Sequence, residues 1–184
     1  MSAGDVTELI QRWTAGESRA LDELLPLVYA DLRRMADQQL RGNLGHDTLQ
    51  PTALINDVFI RFLGAGQLHF ENRKHFFTTA ARTMRQVLID RVRAHSRDKR
   101  GGDWQRVDFI EAIALPIEAD IDLFALDQAL TDLAALDARV AEVVELRFFA
   151  GLEVSEVAAL LERDERTVYR DFAMARAWLR QRLQ

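Results

Sequence analysis

The 184-residue chain has no cysteine, three prolines and two tyrosines. It also has no apolar run approaching the ~18–20 residues that span a bilayer. Without cysteine there is no disulfide scaffold, thiolate zinc site, iron–sulfur cluster or thiol nucleophile. The start, Met1-Ser2-Ala3-Gly4-Asp5, lacks the basic region and apolar stretch of a secretory leader, so a soluble cytoplasmic protein is expected. His46, His69, His75 and His95 show no i, i+4 metal pair with a carboxylate, and Gly-rich phosphate loops and nucleophile motifs are missing. No enzyme, metal or cofactor is therefore expected.

Positive charge is also in short supply, with 24 Lys and Arg against 29 Asp and Glu. A net charge of −5 argues against a nucleic-acid partner, because phosphate binding needs a basic surface. The average hides a local excess. Residues 69–96 hold Arg73, Lys74, Arg82, Arg85, Arg91 and Arg93 against Glu71 and Asp90, and extending to residue 100 gives nine basic against three acidic side chains. The remainder is acidic.

What the chain does have, throughout, is helical periodicity. Val6, Leu9, Ile10 and Trp13 share one face of a first helix that Gly16 ends. Leu21, Leu24, Leu25, Val28, Leu32, Met35 and Leu40 stripe a second over Ala20–Leu40, in which Pro26 predicts a kink or an early boundary. Pro51 suits a first helical position, and the helix it opens to about Leu63 buries Leu54, Ile55, Val58, Phe59 and Phe62. A fourth helix spans about Arg73–Ser96, with Phe76, Phe77, Ala80, Met84, Val87, Leu88 and Val92 inward. Gly101-Gly102, a charged stretch and Pro116 mark residues 97–122 as a flexible linker. Helical pieces at about 123–134, 137–149, 155–162 and 165–182 follow. The expected fold is all-α, with two small helical domains, 1–96 and 123–184, rather than a single bundle.

The last two pieces make a helix-turn-helix. Arg163-Asp164 forms the turn, and Asp164 is a good N-cap for the final helix. That helix displays Arg166, Thr167, Tyr169 and Arg170 at its N-terminal end, where a recognition helix meets the major groove. Arginines can donate to guanine edges or phosphates, Thr167 to a phosphate or base, and Tyr169 can stack. In the basic segment, Phe70, Phe76 and Phe77 accompany the arginines, a combination that binds single strands, although core burial is the competing fate of such rings.

The run Leu54-Ile55-Asn56-Asp57-Val58-Phe59-Ile60-Arg61-Phe62, then Phe76-Phe77-Thr78-Thr79-Ala80-Ala81-Arg82, then Val87-Leu88-Ile89-Asp90 resembles region 2 of extracytoplasmic-function (ECF) sigma factors. Gly151-Leu152, Glu156-Val157-Ala158, Leu161, Thr167-Val168, Ala175-Arg176 and Leu179 resemble their region 4. The resemblance implies a bacterial transcription initiation factor that partners core RNA polymerase and promoter DNA. On it, the helix at 51–63 (Leu54, Asn56, Asp57, Arg61) would face the polymerase. Phe70, Arg73, Lys74, Arg82, Arg85 and Arg93 would capture the melted −10 strand. Arg166, Thr167, Tyr169 and Arg170 would read the −35 duplex, and the linker would thread toward the RNA exit path.

The sequence departs from the family's pattern in three places. Where an acidic, Asp-Ala-Glu-Asp-like run usually precedes the Leu-Ile segment, this chain has Gln50-Pro51-Thr52-Ala53. Phosphorylation of Thr52 would restore the charge at a helix N-terminus that favours it, with Thr48 the alternative acceptor. A Ser/Thr protein kinase or an anti-sigma protein is accordingly a possible controlling partner. Ala173 and Met174 stand where larger or basic residues are frequent, and Glu162 and Arg163 replace a glycine and an apolar residue in the turn. The rival reading is an autonomous helix-turn-helix regulator, which would bind duplex DNA without polymerase as a dimer on half-sites.

Overall fold

The computed structural model describes residues 3–41, 49–64, 69–98 and 123–183, and all its regular elements are helices. In the first half these are α1 (Ala3–Thr14), α2 (Ser18–Arg41), α3 (Pro51–Gly64) and α4 (Arg73–Asp98). Gly16, at φ +98°, turns the chain between α1 and α2. The sequence-expected stripes face inward. Leu9 and Ile10 of α1, Leu24, Val28, Leu32 and Met35 of α2, and Leu54, Ile55, Val58 and Phe62 of α3 are all buried. They meet Phe76, Phe77, Met84 and Ile89 of α4.

Pro26 neither ends nor bounds a helix, contrary to the sequence expectation of an early boundary. It sits inside the continuous α2, on the exposed side of that helix. Removing one N–H there leaves the carbonyl four residues back within reach of water, and the buried stripe on the opposite side holds the helix together.

The second half contains α5 (Leu123–Leu136), α6 (Ala138–Val144), α7 (Val154–Leu161) and α8 (Glu165–Arg182). Asp137 caps α6, its carboxylate accepting from the amides of Arg139 and Val140. α6 runs into a π-helical turn, Glu145–Phe149. The α6 side chains Val140, Val143 and Val144 pack with Leu126, Leu130, Val168, Ala175 and Leu179 of α5 and α8.

The two halves touch. The π-turn packs against α4 and α2, and α7 touches α4. Gln39 of α2 lies at this seam, donating to the carbonyls of Ala81 (3.1 Å) and Phe149 (3.2 Å). Gly151, at φ +64°, lets the chain pass α2 closely, since a Cβ there would stand 3.2 Å from Cγ of Gln38. The two helical halves expected from periodicity are thus in contact along this seam. The span assigned to the linker lies, from residue 99 to 122, outside the described residues.

Candidate nucleic-acid interface

The turn between α7 and α8 is built as the sequence predicts at its centre. Asp164 caps α8, accepting from the Thr167 amide at 2.8 Å and from the Thr167 hydroxyl at 2.7 Å. The side-chain bond to Thr167 is the main reason its carboxyl lies below the ordinary Asp range, and the Thr167 amide adds to it. The Thr167 hydroxyl is thus engaged in the cap. Arg166, Tyr169 and Arg170 stand exposed on the first turns of α8. Glu162 adopts φ +53°, the left-handed conformation a glycine would take without strain. Arg163 reaches Asp171 at 3.6 Å, tying the turn to α8 through an ion pair instead of an apolar contact.

The basic helix α4 is arranged differently from expectation. Phe70, a candidate for base stacking, has no exposed surface. Its ring stacks on Trp13 at 5.8 Å and meets Phe62 and Phe76 edge-on at 5.1 and 5.4 Å. In this structure it is a core residue, held by aromatic burial that outweighs a role in contacting nucleotides. Leu54, a candidate for partner contact, is buried likewise.

The α4 cations face carboxylates. Arg73 reaches Asp31 at 3.3 Å and lies over the Phe77 ring. Lys74 pairs with Glu142 at 3.1 Å, and Arg82 approaches Glu145 at 3.6 Å. Arg85 is buried, donating to Glu145 at 2.8 Å and ion-paired with Asp127 at 3.2 Å, with its guanidinium over the Phe149 ring. Burial pushes the Glu145 carboxyl above its ordinary range, opposed by Arg85 and Arg82. The side chain of Arg93 is outside the described residues, as is Thr48.

Helix α3 presents a second surface. Thr52, Asn56, Ile60 and Leu63 form an exposed row along it. Asp57 and Arg61 lean instead toward α4, paired with Arg91 at 2.6 Å and Asp90 at 2.7 Å. Pro51 opens the helix, its first turn has no acidic residue, and Thr52 stands exposed there. Ile60 and Leu63, both more than 60% exposed, were missed in the sequence reading. They fall outside the buried Leu54–Ile55–Val58–Phe62 stripe, and apolar residues off the stripe were the available signal.

Among the described residues no helix is long and apolar enough to cross a membrane. No curated protein and no solved structure gives a significant match to the chain. A family model described as ECF sigma factor matches residues 3–184. The helix-turn-helix, the basic α4 and the all-α architecture agree with that match, and the chain belongs to the ECF sigma factor family, which acts in transcription initiation.

Proposed function

We propose that the chain binds core RNA polymerase through the exposed row of α3, reads −35 duplex DNA with α8, and captures the melted −10 strand along α4. The observation that carries this reading is the presentation of Arg166, Tyr169 and Arg170 on the open first turns of α8, in a chain matched to the family over 3–184. Arg166 and Arg170 suit guanine edges or phosphates, and Tyr169 suits stacking. The Thr167 hydroxyl serves the Asp164 cap first and contacts DNA only by sharing that role. Lys74, Arg82 and Arg85, with Arg73 and Arg93, are the strand-binding cations; Phe70 supports α4 from the core.

Docking to polymerase is conditional on charge at the start of α3. Thr52 is exposed in the first turn, where the helix dipole favours an anion. A phosphate on Thr52 adds about −1.5 to −2 charge near pH 7, and a Ser/Thr kinase is the corresponding partner.

The test is transcription in vitro with core polymerase on a promoter library, comparing wild type, Thr52→Glu and Thr52→Ala. Thr52→Glu is expected to raise promoter-dependent initiation roughly tenfold, the yield of one charge-assisted hydrogen bond. Thr52→Ala should match unphosphorylated wild type and resist kinase activation. Equal, strong activity of all three would overturn the phosphorylation switch. Promoter-specific duplex binding without polymerase would favour the autonomous regulator instead.

A further inference from the structure

The cations that would hold a DNA strand already have anions, and those anions come from the other half of the same chain. Lys74, Arg82 and Arg85 lie within one stretch of α4, and their partners Glu142, Glu145 and Asp127 lie on α5, α6 and the π-turn. Arg34 of α2 adds a peripheral pair with Glu156 of α7 at 3.0 Å. We propose that the closed packing is self-inhibiting: the C-terminal half lays a row of carboxylates on α4 in place of strand phosphates, so that promoter strand and C-terminal half compete for one surface. The inference rests on the reading of α4 as the strand-binding helix.

Three observations support competition over mere structural pairing. The pairs join residues 42 to 68 positions apart in sequence, and three of them converge on Arg85 and Glu145. The clasp is costly to keep shut, because Glu145 and Arg85 give up hydration and one Glu145 oxygen lacks a hydrogen-bond partner among the described residues. A strand or solvent can therefore replace it. The π-turn that carries Glu145 and Phe149 against α4 is a rare geometry that is frequent at functional sites. By contrast, the α8 face with Arg166, Tyr169 and Arg170 remains exposed in the closed form. The chain's acidic balance thus acts locally: its own carboxylates quench the strand-binding cations until the halves part.

The absence of cysteine allows a direct test in the full chain. Dyes at Glu23→Cys and Gln181→Cys, both exposed positions, report the separation of the halves by energy transfer. The probe is a fluorescent pool of random single-stranded DNA. Glu142→Lys/Glu145→Lys should lower energy transfer and tighten strand binding about tenfold, steepening the salt dependence by roughly 2 for three freed cations. Glu142→Lys/Glu156→Lys, at positions not fully buried, should act in the same direction if the first pair fails to fold. Conversely, Arg34→Cys/Glu156→Cys joined by a reducible crosslinker should reduce strand binding to what the exposed α8 cations alone support, and reduction should restore it.

Unchanged energy transfer in folded reversal variants, or undiminished strand binding by the crosslinked chain, would overturn the proposal. Halves that part without any gain in strand binding would instead overturn the assignment of α4 to the strand. The distance readout separates the two failures.

Discussion

Single positions decide how well the helix-turn-helix is made. Glu162 occupies a left-handed conformation, which costs a side-chain-bearing residue about 1–2 kcal/mol relative to the right-handed region. Its side chain is exposed, so nothing is lost by removing it. Glu162→Gly is expected to stabilise the chain by about 1 kcal/mol in urea unfolding, with an unchanged slope. The sequence departure from glycine at this position thus has a defined backbone cost, and the position itself was legible. Phe70 was not. A phenylalanine beside arginines reads equally as a stacking platform or as core, and only the positions of Trp13, Phe62 and Phe76 around it decide for burial.

Among the elements, helix existence followed from periodicity, and most boundaries fell within two residues. At Pro26 the apolar stripe over Ala20–Leu40 was the better guide, since the helix continues through it and the boundary alternative is not met. At α8 the local signal was sufficient, since the Asp164 cap is read from sequence and formed in the structure. Its carboxyl is depressed, mainly by the Thr167 side chain and then by the Thr167 amide. A depressed carboxyl contributes fully above its ordinary value of 3.8, and the contribution fades as pH falls from there through the folded-state value. The protection of the Thr167 amide, the intrinsic exchange rate at each pH relative to the observed rate, should therefore fall on acidification below the ordinary Asp range. In Asp164→Ala, that protection should be low already at neutral pH and stay constant across this range, and the thermal midpoint should fall by roughly 2–4 °C.

At the scale of the whole molecule, the contact between halves was the least legible feature. Arg85 looks like any surface arginine of a basic helix. The informative residue was Glu145, a lone carboxylate within Val143-Val144-Glu145-Leu146, where a charge needs a buried partner. Periodicity identifies an inward face but not which distant helix supplies the opposite charge.

The buried pair also sets how the molecule unfolds. Removing Glu145 takes one of the two carboxylates from buried Arg85 and leaves it Asp127, so Glu145→Ala is expected to cost about 1–3 kcal/mol in urea unfolding. Arg85→Met/Glu145→Leu removes both buried charges while keeping volume, leaves the partly exposed Asp127 to water, and should cost less. Two tryptophans report the halves separately, Trp13 beside Phe70 and the half-buried Trp178 on α8, with Trp104→Phe removing the third. If the halves unfold as one unit, both reporters share a midpoint in wild type and in the apolar double variant. In Glu145→Ala, where the seam is broken, the midpoints should separate. Separate midpoints in wild type would mean that the seam contributes too little to couple the halves, whatever its geometry.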